Sequence, residues 1–478
     1  MQTSSLATRL SFVATLGGLL FGYDTAVISG AVSSIDANFI NPIHLSETAK
    51  NALSGWTVSS ALLGCIVGAA AAGWIARALG RRGGLILAAI FFFLSAIGSA
   101  VPEVGFGPIG GMGPHALPAF IAYRILCGVG IGIASMLSPL YIAEIAPSRI
   151  RGRLVSYNQM AIVTGILLVY FVNWAIAAQG DTAWLRTTGW RFMLGSEVVP
   201  ATFFLLLLRF VPDTPRWLVI KGRAEEAKAI LLRLTTVSEA EVTYREIEVS
   251  LAQTSGKLFS FGAGVVVIGI LLSAFQQLVG INAVLYYAPT MFQNMGAGAN
   301  AALLQTVLVG AVNMLCTLIA IFTVDRWGRK PLLIFGGLIM AIAMLTLGAL
   351  FAAGSTGIYA LIAILLYIGG FALSWGPVVW VLLAEMFPNA IKDKAMAVAV
   401  AAQWITNLLV SWSFRIVDGS SALNAIFHHG LAYFLYGAMS LLAVLFVWRW
   451  IPETKEKRLE EIAQFWQRGN DVPQARTP

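Results

Sequence analysis

An all-α integral membrane fold is predicted by three observations. Of the 478 residues, 58% are hydrophobic and 11% charged, a mixture that a water-soluble domain could not cover with polar surface. Apolar stretches of about 20 residues, enough to cross a bilayer as helix, recur twelve times. Three short motifs appear once in each half of the chain, in the same order.

The first six predicted spans are 10–32, 53–75, 85–101, 118–142, 155–178 and 192–211. A polar segment follows from 212 to about 259, in which 222–233 and 239–252 read as short amphipathic helices lying on a membrane face. The last six spans are 260–288, 301–323, 331–352, 357–383, 395–417 and 430–450. The repeats fall at equivalent places. RALGRR at 77–82 answers to RWGRKP at 326–331, EIAPSRIRGR at 144–153 to EMFPNAIKDK at 385–394, and PDTPRW at 212–217 to PETKEK at 452–457. Their offsets, about 240 to 250 residues, predict two six-helix halves in parallel orientation, as in one large class of secondary transporters. The expected domains are therefore 1–211, a linker at 212–259, 260–451, and a tail at 452–478 with a further short helix.

Charge sets the expected orientation. With both termini and the 212–259 linker in the cytoplasm, 26 of the 31 Lys and Arg lie on the inner side, as the positive-inside rule requires. Lys50, Arg186, Arg191 and Arg415 are left outside and Arg124 within the membrane. The first span lacks a small-residue cleavage site and reads as a retained helix. Net charge +8 is explained by these clusters, and no basic run alternates with stacking aromatics, so nucleic acid is not an expected partner. The three cysteines lie apart in apolar segments and the four histidines in loops, which predicts no disulfide and no metal site. Neither a phosphate-cradling Gly-rich loop nor a zinc-binding His pair is present. No cofactor is expected, and no nucleophile, base or metal constellation suggests an enzyme.

Three charges stand inside the first-half spans: Asp24 in LLFGYDTAVISG, Arg124 and Glu197. Each is costly alone in lipid, and pairing lowers the cost. Arg124 is the expected partner of Asp24. A carboxylate that exchanges a guanidinium for a proton provides the minimal physics of proton coupling. The second half instead gathers amides and indoles. Gln276, Gln277, Asn282 and Tyr286 sit in FQQLVGINAVLYY around Gly280; Gly376, with Trp375 and Trp380, sits in ALSWGPVVW; Gln403 and Asn407 share a helix face. Gln159 is expected to face the same cavity. Such groups suit a neutral polyhydroxylated ligand, because amides bond hydroxyls and a ring face packs on a pyranose. Near the linker-side helix ends, Glu144 and Glu385 lie close in topology to Arg81, Arg149, Arg151, Arg326 and Arg329, an arrangement that predicts an inner gate of charges.

The strings LLFGYDTAVISG, RALGRR, YIAEIAPSRIRGRLVSYNQ, VPDTPRWL, FQQLVGINAVLYYAP, VDRWGRKPL, SWGPVVWVLLAEMFP and VPETK resemble signature motifs of the sugar porter family of the major facilitator superfamily. The resemblance implies the major facilitator fold and an alternating-access carrier working as a monomer in the cytoplasmic membrane. On matching positions it implies sugar contacts from Gln159, Gln276, Gln277, Asn282, Gly376, Trp380 and Gln403, with Phe21, Tyr286 and Asn313 nearby. Asp24 is implied as the protonatable residue, with Arg124 and Glu197 in its group. The implied cargo is an aldose with a proton, D-xylose ahead of D-glucose. An uncoupled facilitator and a non-transporting sugar sensor are the alternatives. Three positions depart from the family pattern. Ile166 stands where xylose carriers of the family have glutamine, KDK at 392–394 where an arginine and a glycine are usual, and Ala76 where an aspartate is frequent. Lysine cannot reproduce a bidentate arginine pair.

Overall fold

A computed structural model describes residues 2–252, 257–388 and 391–455. Twelve helices in it are long and apolar enough to cross a membrane. They are α1 Leu6–Gly30, α2 Glu47–Ala78, α3 Gly80–Ala100, α4 Gly113–Ile145, α5 Leu154–Ala177, α6 Thr182–Leu208, α7 Ala263–Asn294, α8 Ala299–Val324, α9 Arg329–Ala352, α10 Ile358–Met386, α11 Lys394–Asp418 and α12 Leu431–Trp450. All twelve expected spans are present, with shifted ends. α6 starts ten residues earlier than 192 because polar Arg186, Thr187 and Thr188 are taken into a helical turn at Leu185–Gly189. The expected helix in the tail falls outside the described residues.

Between α6 and α7 lie three helices rather than the two expected, Pro215–Ile220, Ala224–Leu234 and Val237–Ala252. The additional one begins with proline at its first helical position, where the missing N–H costs nothing. Trp217, Leu218, Ala227, Leu231, Ala240 and Tyr244 form a small core of their own, and the Trp217 indole N–H donates to Arg77 O at 3.2 Å.

Contacts between spans show why the chain closes around its polar centre. α2 packs along α4, α1 along α5, α9 along α12 and α7 along α11. Across the chain's midpoint, α2 meets α11 and α5 meets α8. Shifting either pair by six spans gives the other, the relation expected of a repeat. Lipid supplies no hydrophobic force between helices, so close packing of small residues takes its place. A Cβ on Gly128 of α4 would lie 1.8 Å from Ala61 O of α2, and one on Gly22 of α1 1.9 Å from Ile162 O of α5. Both glycines are required by the helix approach, and each sits close in sequence to a charge, Gly22 to Asp24 and Gly128 to Arg124.

Candidate functional site

α1 packs directly against α4 and so places Asp24 and Arg124 opposite each other, both enclosed. Arg124 Nη1 donates to Asp24 Oδ1 at 2.6 Å, with side-chain exposures of 3% and 0%. Asp24 Oδ2 and Arg124 Nε are left without a hydrogen-bond partner, so the pair is not locked by a full set of bonds. Removing one member of such a buried pair leaves an uncompensated charge at a cost of about 3–5 kcal/mol. Glu197 of α6 completes the group. Its carboxyl, the Asp24 carboxyl and the Cys127 sulfur all lie within 4.8 Å of one another. A metal cation drawn to these three would meet the repelling charge of the Arg124 guanidinium. With one guanidinium and two carboxyls, electrical neutrality holds when one carboxyl carries a proton.

A cleft of about 10 Å³ touches Asp24 and Arg124 from α1 and α4 and Tyr286 and Trp404 from α7 and α11, close to the room of a single water molecule. Trp404 adjoins Gln403 of the amide cluster in sequence. There α7 breaks at Gly280, whose φ of +90° and would-be Cβ 2.4 Å from the Tyr436 ring admit only glycine. Gln276 Nε2 donates to Trp375 O at 2.9 Å and Gly376 O at 3.3 Å, the first carbonyls of the segment of α10 that restarts after Ser374, each with a second lone pair to offer. Gln277 Nε2 donates to Gln276 Oε1 at 3.3 Å, Asn282 Nδ2 to Gln277 Oε1 at 2.7 Å, and Gln403 Nε2 to Gln276 Oε1. Four amides from the two segments of α7 and from α11 are thus one hydrogen-bonded chain. The Gln403 carbonyl and the Trp404 indole N–H remain as an unpaired buried acceptor and donor.

The other expected members differ in how far they are enclosed. Trp380, Gln159 and Phe21 are half-buried, Tyr286, Asn313 and Ile166 buried. Phe21 of α1 approaches Trp404 of α11, ring centroids 5.7 Å apart, so an aromatic pair bridges the first and last six spans beside the charges. Trp404 was not singled out from sequence, although its position next to Gln403 and the frequency of indoles at ring-binding sites were available signals.

Both glutamates of the expected gate meet an arginine of the expected set. Arg81 Nη2 binds Glu144 Oε1 at 2.7 Å, and Thr214 Oγ1 donates to the other carboxylate oxygen. Arg329 binds Glu385 at 2.8 and 3.1 Å, with Thr454 Oγ1 donating at 2.6 Å. Among the described residues, each of these pairs lies within one set of six spans. Arg326 is exposed and its side chain makes no ion pair among the described residues. The side chains of Arg149 and Arg151 lie outside the described residues. A polar tie between the two sets lies on the opposite face, at Arg415. Arg415 Nη2 binds Asp36 Oδ2 at 2.6 Å, Ser54 Oγ donates to Asp36 Oδ1 at 2.6 Å, and Arg415 Nε donates to Ser54 Oγ at 3.2 Å. Asn51 donates to Gly419 O at 2.7 Å and the Trp412 indole to Ala52 O at 2.9 Å. Behind Arg415, Asp418 accepts from His429 at 3.0 Å, and that hydrogen bond raises the imidazole pKa above its ordinary value. Replacing Arg415 with glutamine should loosen this face. Hydrogen bonds to charged groups are worth about 1.5–3 kcal/mol, so the ratio of closed to open forms should fall about tenfold or more, read as a larger long-distance fraction between spin labels at positions 45 and 425.

The whole chain can be placed among known proteins. Residues 10–466 match the family described as "Sugar (and other) transporter". The D-xylose-proton symporter of Escherichia coli (strain K12) is 53% identical over 473 residues, 97% of this chain and 96% of that protein. The glucose facilitated diffusion protein of Zymomonas mobilis is 49% identical over 469 residues, 97% and 98% of the two chains. Among solved structures, the partially occluded inward-open conformation of the xylose transporter XylE from Escherichia coli superposes with a TM-score of 0.87 at 51% identity, covering 95% of this chain and 100% of that one. XylE bound to 6-bromo-6-deoxy-D-glucose gives 0.84 at 52% identity, covering 97% and 100%. With its family match running almost end to end, the chain belongs to the sugar transporter family.

Proposed function

We infer that this protein is a secondary transporter that carries an aldose together with a proton by alternating access. The observation that carries the reading is the Asp24–Arg124 pair at 2.6 Å in an enclosed site, next to Glu197 and lining a one-water cleft with Tyr286 and Trp404 of the other six spans. A facilitator has no need for an ionisable pair held in lipid at such cost. The symporter relative at 53% identity and the facilitator relative at 49% stand on the two sides of this distinction, and the charge group favours the first.

In this reading, residues 1–211 and 260–451 are two rocking halves joined by the 212–259 linker, and the protein works as a monomer. Basic residues crowd the linker side, so that face and both termini lie in the cytoplasm of a cell whose inner membrane holds the protein. The Asp36–Arg415 tie then closes the outer face. Sugar hydroxyls meet Gln159, Gln276, Gln277, Asn282 and Gln403, with Gly376 leaving room at the α10 break, and the pyranose face lies against Trp380. Phe21, Tyr286 and Asn313 complete the wall. The Arg81–Glu144 and Arg329–Glu385 clusters hold each half's inner helix ends, and with Arg149, Arg151 and Arg326 they form the inner gate region. Protonation of Asp24 frees Arg124 and changes the charge that must cross the membrane with the sugar.

Asp24→Asn should abolish uphill sugar accumulation in proteoliposomes with an imposed pH gradient, while sugar exchange without a gradient persists within several-fold. An unchanged accumulation ratio would overturn coupling through Asp24. Ile166 lies seven residues, two helical turns, beyond Gln159 on α5 and so shares its face. Ile166→Gln adds a hydrogen-bonding group worth about 0.5–1.5 kcal/mol, and should raise the apparent affinity for xylose relative to glucose by up to about tenfold, measured as competition between labelled sugars.

A further inference from the structure

We propose that the pocket between the start of α1, the end of α6 and the second linker helix binds the phosphate of an anionic phospholipid headgroup in the linker-side leaflet. The pocket has a volume of about 280 Å³, and its walls include Leu6 and Leu10, Arg82, Arg209 and Phe210, and Arg233. Arginines from three separate elements meet there, and no carboxylate residue is among its walls in the described residues. Arg82 is committed to the fold, donating to Leu208 O at 3.0 Å and Arg209 O at 3.1 Å, the last carbonyls of α6. The side chains of Arg209 and Arg233 are both exposed, and neither makes a hydrogen bond or ion pair among the described residues.

Two unpaired guanidinium groups lining one concavity suit a phosphodiester, which arginine recognises with paired N–H donors. A general excess of positive charge on this face accounts for each arginine singly. It gives no reason for two of them, from different elements, to line one pocket without an acid. The apolar walls select an amphiphile over a free ion. Phe210 is 78% exposed at the pocket mouth, and Phe203 and Leu206, 60% and 57% exposed, continue the apolar surface along α6. An acyl chain running down α6 would cover that strip while its headgroup sat between Arg209 and Arg233.

The test is lipid retention by the purified full-length protein, stripped in detergent and then supplied with phosphatidylglycerol or phosphatidylcholine and read by native mass spectrometry. Wild type should retain phosphatidylglycerol on the order of tenfold over phosphatidylcholine. The double variant Arg209→Gln/Arg233→Gln should lose that preference, and Arg209→Lys/Arg233→Lys should recover only part of it, because a lysine lacks the paired donors. Sugar binding by each variant serves as the folding control. Equal preference in wild type and the glutamine variant would overturn the site, and full recovery by lysine would reduce it to diffuse charge. Displacement of the lipid by millimolar inorganic phosphate would assign the pocket to the free anion and overturn the lipid as its occupant.

Discussion

One guanidinium shared between two carboxyls in a water-poor pocket is the constraint around which the molecule is arranged. Arg124 cannot lose its charge under physiological conditions, so the group is neutral only if one of Asp24 and Glu197 holds a proton. Packing of α1 against both α4 and α6 brings the three side chains together. Without that close approach each charge would face lipid alone. The same packing exposes the pair to a cleft whose far wall, Tyr286 and Trp404, belongs to the other six spans. Any movement of those spans over the pair therefore changes its surroundings, which is the physical basis for coupling a proton to a sugar.

The neutral side of the centre follows a complementary logic. Amides in a low-dielectric interior are expensive unless each finds a partner. Here Gln276, Gln277, Asn282 and Gln403 satisfy one another and two α10 carbonyls, yet leave an acceptor on Gln403 and a donor on Trp404 without partners. A sugar hydroxyl can take up such groups without first displacing a saturated network. Closing the face opposite the linker is the task of a third cluster, Asp36, Ser54 and Arg415, built at the rim where a polar pair tolerates both wet and dry states.

Much of this was legible in the sequence because lipid enforces simple rules. Twelve apolar stretches had to be helices, and an acid and a base in mid-membrane had to meet, as Asp24 and Arg124 do. The amides at 276, 277, 282 and 403 were recognisable because so many polar groups in mid-span call for each other. What escaped notice did so for equally physical reasons. Arg415 ends its span, where basic residues are ordinary, so its tie to Asp36 across 379 positions left no local trace. Glu144 and Glu385 could be matched with arginines by proximity, but only coordinates show that each pair stays within its own six spans. The helix at Pro215–Ile220 is too short to announce itself by periodicity, and a single indole such as Trp404 within an apolar span carries no local sign of what it faces.

The most direct measurement is proton movement caused by sugar alone. Sealed, de-energised vesicles carrying the protein in one orientation, placed in weakly buffered medium, should turn that medium alkaline when the transported aldose is added, and an uncoupler should abolish the signal. Sugar entry at a comparable rate with no change in external pH would contradict the account, because the buried pair would then be scaffolding rather than the seat of coupling.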